Sequence, residues 1–312
     1  MSFQTSVDVF NRARELRMAD RFREALDVLV ENQDSFPEEA YRLIHWQVCM
    51  AALGGMPQVA MDILERALQQ GEWYSEALLR DPDLTSLWGD ARFEALLTRS
   101  CKMARDVQER TKPEAEVFGP DRPAPFPLVM ALHGNNSNAA LTRPFWQSAV
   151  PAGWMVALPL STQLIGNDRA VWDDRGQGIV EVRDHLVRLQ AEYPVDPDRI
   201  VLGGFSMGGQ LAAWMAVCGV VKVRGFYVVA PYISDLEEWN GLIENVANHG
   251  LRVGFLLGAE DTVSGKTPEE LANRLRAAGV PCEIEIIPGL GHAYPSDFAS
   301  RLAKMLEYIC QA

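Results

Sequence analysis

Ser206 stands in Gly203-Gly204-Phe205-Ser206-Met207-Gly208-Gly209, directly after the apolar run Ile200-Val201-Leu202 and directly before the helical pattern Leu211, Ala212, Met215, Ala216. A serine on so tight a strand-to-helix turn is forced into a strained backbone conformation, and the turn closes only if Gly204 and Gly208 carry no side chains to collide. The arrangement reads as a nucleophile elbow, with an ordinary glycine-rich turn as the alternative. A serine hydroxyl needs a base to take its proton at neutral pH, and imidazole is suited to that task. Five histidines compete. His45 falls in a helical region, His185 in the middle of a helix, and His249 just before a strand, at the wrong edge of a sheet. His292 lies in Pro288-Gly289-Leu290-Gly291-His292-Ala293-Tyr294-Pro295, on a loop after the last strand that can lean over Ser206. The base in turn needs an acceptor on its other nitrogen, to fix its tautomer and stabilise the imidazolium as it forms. Asp261, in Gly258-Ala259-Glu260-Asp261 after the penultimate strand, is that acid, with Asp235 as the alternative.

Attack by such a serine on a carbonyl produces a negative oxygen, which needs hydrogen-bond donors already in place. The Met207 N–H opens the helix after Ser206, where unpaired amides favour an anion. A second donor is expected from His133-Gly134-Asn135-Asn136, which follows the strand Leu128 to Leu132, and is assigned to the Asn135 amide. His133 itself reads as a residue shaping that loop, with a second base as the alternative.

These residues require a sheet whose strand ends share one edge. After Pro127 the chain alternates short β-branched runs with longer helical segments, the pattern of a mostly parallel sheet with helices on both faces. Strands are predicted at about 128–132, 154–160, 200–203, 225–230, 253–257 and 283–287. Helices are predicted over Ile179 to Tyr193, Met207 to Gly219, Leu236 to Ala247, Pro268 to Ala278 and Ser296 to Cys310. The right-handed crossover rule then puts every strand's C-terminal end on one edge.

Before Thr111 the spacing of Ala13, Leu16, Phe22, Ala25, Leu26 and Leu29 is helical. Shifting the sequence by 35 lays Ala25, Leu26, Asp27 and Leu29 over Ala60, Met61, Asp62 and Leu64. This resembles tetratricopeptide helix pairs, without their full signature, over about the first hundred residues. The expected organisation is an all-α repeat domain over 1–110, a proline-rich linker over 111–126 with an edge strand at Ala115 to Phe118, and an α/β domain over 127–312. The repeats offer a surface for a protein partner or for self-association, or else simply support the second domain.

With a net charge of -13 and neither half basic, the chain lacks the clustered Lys and Arg that nucleic acid or an anionic membrane would demand. No stretch approaches the length of an apolar membrane span, Met1 to Met18 shows no signal-peptide pattern, and the five cysteines form no CxxC pair and read as reduced. A cytoplasmic setting is expected.

With these residues identified, the region from about 113 to 312 resembles the phospholipase/carboxylesterase branch of the α/β-hydrolases, with dienelactone hydrolase-like proteins close behind. The resemblance rests on Leu132-His133-Gly134, on Asp196-Pro197-Asp198-Arg199-Ile200 leading into the elbow, on Gly258 to Asp261 and on Gly289 to His292. It implies a minimal hydrolase without a large lid, acting on carboxylic esters or thioesters through an acyl-enzyme, with neither metal nor cofactor and with a small-molecule ester as substrate. Two departures stand out: Gly134-Asn135-Asn136-Ser137 replaces the usual Gly-Leu-Gly type sequence, and Thr262-Val263-Ser264-Gly265 replaces a proline-bearing turn. A loop from Ser161 to Gly178, with Trp172, Asp173 and Arg175, is expected to border the pocket, with Phe205 and Trp146 as apolar wall. The expected function is a carboxylesterase; the alternatives are a thioesterase or peptidase on the same residues, or a non-catalytic scaffold.

Overall fold

A computed structural model of the chain describes residues 3–246 and 249–311. The chain divides into two compact units, one running to Thr111 and taking in Leu164–Asp168, the other formed by Lys112–Gln163 and the chain from Arg169 onward.

The first unit is helical. Its helices are α1 (Ser6–Met18), α2 (Phe22–Asn32), α3 (Ala40–Leu53), α4 (Pro57–Gln69), the short α5 (Glu76–Leu79) and α6 (Ala91–Gln108). Thr5 opens α1 with a capping box, its hydroxyl accepting from the Asp8 N–H while the Asp8 carboxylate accepts from the Thr5 N–H. A displacement of 35 residues carries α1 and α2 onto α3 and α4, and the superposed Ala25, Leu26, Leu29 and Ala60, Met61, Leu64 are all buried. Strand β4 (Leu164–Gly166) belongs to this unit, where the Ile165 carbonyl accepts from Tyr41 Oη–H at 2.9 Å and from the Ser75 N–H at 2.8 Å.

The second unit is built on a seven-stranded sheet. In chain order its strands are β1 (Glu114–Phe118), β2 (Phe126–Leu132), β3 (Met155–Leu160), β6 (Val195–Phe205), β7 (Gly225–Val229), β8 (Arg252–Gly258) and β9 (Cys282–Ile287). They are arranged β1-β3-β2-β6-β7-β8-β9. The two-residue β5 (Arg169–Ala170) lies outside this sheet, and its Ala170 bridges to Ser137. Every neighbouring pair is parallel except β1 with β3, which runs antiparallel with Glu114 opposite Leu160. The rule that all strand ends share one edge therefore fails for β1: a strand entering the sheet from a linker needs no crossover, so nothing forces it parallel.

Alternation along the strands sorts the core onto two faces. Leu128, Met130 and Leu132 of β2 join one cluster with Val182 and Leu186 of α8 (Arg175–Glu192), with Leu211 and Met215 of α9 (Ser206–Val217), and with Leu271 of α11 (Thr267–Ala277). Val129 and Ala131 join the other, with Trp146 of α7 (Ala139–Trp146) and with Phe298, Leu302 and Leu306 of α12 (Phe298–Ile309). The sequence reading missed α7. Its short run contains Pro144, but the Asn138 side chain caps it by accepting from the Leu141 N–H at 2.9 Å. The helix expected over Leu236 to Ala247 is a 3-10 turn, Glu237–Trp239, followed by α10 (Asn240–Val246); Ala247 lies outside the described residues. Chain order reverses about β2, which has β3 on one side and β6 on the other. The crevice beyond the C-terminal ends of β2 and β6 is thus the place where such sheets take ligands.

Candidate active site

Ser206 sits at the junction of β6 and α9 with φ +52°, a left-handed backbone rare for a residue with a side chain, and is 6% exposed. A Cβ added to Gly204 would lie 2.5 Å from the Gly208 carbonyl carbon, and one added to Gly208 would lie 2.2 Å from the His133 carbonyl oxygen. The turn therefore has the glycine requirement read from the sequence, with backbone rather than flexible side chains as the obstacle.

The structure brings Ser206, His292 and Asp261 together. The His292 Nε2 lies 3.0 Å from Ser206 Oγ, and its Nδ1 lies 2.9 Å from Asp261 Oδ2. The other Asp261 oxygen, Oδ1, accepts from the backbone N–H groups of Val263 at 2.9 Å and Ser264 at 3.0 Å. Burial opposes charge on Asp261, but these amides and the imidazole outweigh it and hold the carboxyl below its ordinary range, so it is ionised at neutral pH. With Nδ1–H committed to a carboxylate, Nε2 is left as an acceptor facing the hydroxyl. Such an arrangement can remove a proton from Ser206 Oγ and return it to a leaving group.

Two loops meet to position the imidazole. The Ala259 N–H donates to the Ile287 carbonyl and the Glu260 N–H to the Leu290 carbonyl, so Glu260 contributes its backbone while its side chain is exposed. Asp235 is exposed and caps the turn at Glu237 instead, its Oδ1 accepting from that residue's N–H. The Phe205 ring packs 4.8 Å from His292, and Tyr294 stacks on Phe205 at 4.8 Å. Trp146 is fully buried beneath Gly203, with its Nε1–H donating to Tyr294 Oη. It is core rather than pocket wall, which corrects the expectation for that residue.

Met207 occupies the first turn of α9, where a backbone N–H has no partner inside the helix, and Asn135 lies exposed on the loop that follows β2. His133 is what shapes that loop. Its Nδ1–H donates to the Gly134 carbonyl at 2.8 Å, its Nε2 accepts from the Ser161 N–H at 3.2 Å, and Trp172 stacks on it while donating from Nε1 to its carbonyl at 3.0 Å. Both ring nitrogens are occupied, so His133 is no second base. Burial pushes its pKa down to about 4, against about 6.5 for a free imidazole. Between those values the unfolded chain binds a proton that the folded chain refuses, so stability present at neutral pH is lost on acidification, by about 3 kcal/mol at pH 4 from this residue. Urea midpoints taken from pH 7 to pH 4.5 should fall steeply in the wild type and less steeply in His133→Asn; equal slopes would contradict it.

Beside Met207 opens a cavity of about 160 Å³ lined by Trp172, Asp173, Arg175, Gln210, Tyr232 and Ser234. Arg175 is tied to Glu238 at 2.7 Å and lies over Trp214, while Gln210 Nε2–H donates to Ser234 Oγ at 3.1 Å. The loop residues Trp172, Asp173 and Arg175 thus border a pocket, as expected. Gln210, Tyr232 and Ser234 were not singled out from the sequence; Gln210 sits one helical turn past Ser206, which is the one signal that could have found it. Among the described residues no cluster of His, Cys, Asp or Glu could hold a metal ion, and no helix is long and apolar enough to cross a membrane.

The sheet and its helices form the α/β-hydrolase fold, preceded by a helical region. Residues 165–306 match the Dienelactone hydrolase family, and residues 5–108 match the A/B hydrolase-like, N-terminal domain. The motifs point to the phospholipase/carboxylesterase branch with dienelactone hydrolase-like proteins close behind, and the family match falls on the latter. Acyl-protein thioesterase 1 of Emericella nidulans is 31% identical over 132 residues, 39% of this chain; the match spans only 54% of that protein. An uncharacterized protein from Bacillus cereus ATCC 10987 shares 25% identity at a TM-score of 0.57 over 98% of this chain and 99% of its own. Zea mays acyl-protein thioesterase 2 has the same fold at 17% identity and a TM-score of 0.51, over 64% of this chain and 99% of its own.

Proposed function

We propose that this chain is a serine hydrolase of small carboxylic esters, working in the cytoplasm through an acyl-enzyme on Ser206. The hydrogen-bonded chain from Ser206 Oγ through His292 to the ionised Asp261 is the observation that carries this reading. His292 Nε2 takes the hydroxyl proton as Ser206 Oγ attacks the carbonyl carbon. Met207 N–H and Asn135 N–H donate to the oxyanion, each such donor lowering the barrier by about 3 kcal/mol. Collapse of the tetrahedral intermediate breaks the bond to the alcohol, which leaves with the proton held on His292. Water then enters, gives a proton to His292 and releases the acid by the same steps in reverse.

The acyl group is assigned to the cavity beside Met207, whose 160 Å³ holds about five water-sized groups. Acetyl to butyryl esters fit that space. Each methylene too many costs about tenfold or more, so kcat/KM on nitrophenyl esters should peak at two to four carbons and be at least ~10-fold lower by eight. A rise toward long chains would contradict the assignment. Similarity to acyl-protein thioesterases favours a second reading, thioester cleavage on the same residues. Rates on the ester, thioester and amide of one short acyl group decide between them: the ester reading expects the ester to lead and the amide to be inert.

A further inference from the structure

Ser264 is one of the residues by which the turn after Asp261 departs from the proline-bearing pattern, and it is buried against the imidazole. Its backbone N–H holds Asp261 Oδ1, as described above, and its side-chain hydroxyl has three partners, one of them the same Asp261 carboxylate. Ser264 Oγ lies 3.0 Å from the Ala230 carbonyl oxygen and 3.3 Å from His292 Nδ1. The Ala230 carbonyl and the Asp261 carboxylate can only accept, so the single hydroxyl hydrogen is divided between them and is not given to His292. The Ala230 carbonyl is itself fixed: Ala230 follows β7 in a left-handed conformation, φ +44°, with its N–H donating to the Leu256 carbonyl at 2.8 Å. With the hydrogen pointing away, a lone pair of Ser264 Oγ faces Nδ1, which carries the proton it donates to Asp261.

We infer that Ser264 is a positioning residue of the hydrolytic site, a second acceptor for His292 Nδ1–H beside Asp261. The proton on Nδ1 is shared between carboxylate and hydroxyl, which confines the ring to one tautomer and one orientation. Because the imidazolium donates more strongly than the neutral ring, the second acceptor favours the charged form that develops as Ser206 loses its proton. The groups facing the ring are Asp261 and Ser264 from the turn after β8, and Ser206 and Phe205 from the elbow, while Tyr294 stacks on Phe205. Burial pushes the Tyr294 phenol up, so Asp261 is the one charge among them at neutral pH. The bland alternative is that Ser264 merely ties the end of β7 to the turn after β8, in which case its loss lowers stability and leaves the chemistry alone.

The inference rests on Ser206 and His292 doing the chemistry, so the test begins by establishing that the wild type turns over a short nitrophenyl ester and is labelled by a fluorophosphonate. Ser264→Thr and Ser264→Val then differ from each other in the hydroxyl and hardly in shape. The expected result is a Thr variant near wild type and a Val variant about tenfold lower in kcat with KM unchanged. The acid limb of the Val variant's pH–rate profile should move to lower pH by roughly half a unit, since the protonated ring has lost an acceptor. Equal kcat and superimposable acid limbs for Thr and Val would overturn the inference, whatever happens to stability. Should the added bulk unfold both, Ser264→Ala against wild type supplies the same comparison with the same two outcomes. An unlabelled, inactive wild type would instead sink the esterase reading itself.

Discussion

Ser206→Ala should reduce kcat on a short activated ester by about 10^5-fold, leaving a small residue of rate from the oxyanion donors and binding alone. The variant should fold as the wild type does, because the hydroxyl it loses faces His292 and the elbow's geometry is held by backbone. Combining it with His292→Ala should cost almost nothing more, since hydroxyl and base act as a unit. Multiplying losses in the double variant would mean that the two side chains act independently and that the hydrogen-bonded chain is ornamental.

The second large effect comes from a methyl group. Gly208→Ala places a Cβ 2.2 Å from the His133 carbonyl oxygen and 2.6 Å from that of Leu132, both backbone atoms of the strand and loop that carry Asn135. Neither can step aside without moving β2 or the start of α9. Destabilisation of about 3 kcal/mol or more is expected. In whatever fraction remains folded, Ser206 is displaced from His292, and a shift near 1 Å is enough for about a hundredfold loss of rate. Denaturant unfolding and kcat, measured on the same preparation, check both parts. A variant as stable and as fast as wild type would mean that the elbow is more open than its glycines indicate.

What could be read from residues alone follows from how local each constraint is. Ser206 was legible because a strained turn leaves a mark within five residues, Gly204 to Gly208. His292 was legible by elimination, once helices and the wrong sheet edge had removed its competitors, and Asp261 followed from its place after β8. The antiparallel direction of β1 left no such mark, since alternation along a strand says nothing about its partner's direction. Helix α7 was hidden by Pro144, and its cap at Asn138 looks in sequence like any loop asparagine. Trp146 could equally have lined a pocket or filled the core, and only Gly203 lying over its ring decides between them. Ser264 was least visible of all: a serine three residues past an aspartate is ordinary turn chemistry, and its contact with His292 spans 28 residues of chain.

The same locality explains the helical unit. The 35-residue spacing was readable because it repeats, whereas the inclusion of Leu164–Asp168 was not, because nothing in that short stretch differs from a surface loop.

The central claim is that Ser206 Oγ becomes covalently acylated. The measurement closest to it is intact-mass analysis of the full chain after exposure to a fluorophosphonate, followed by peptide mapping. The account predicts one adduct per chain, carried on the peptide containing Ser206 and missing in Ser206→Ala. An unmodified wild-type chain that is folded and yet hydrolyses the ester, or an adduct mapped to any other residue, would contradict it.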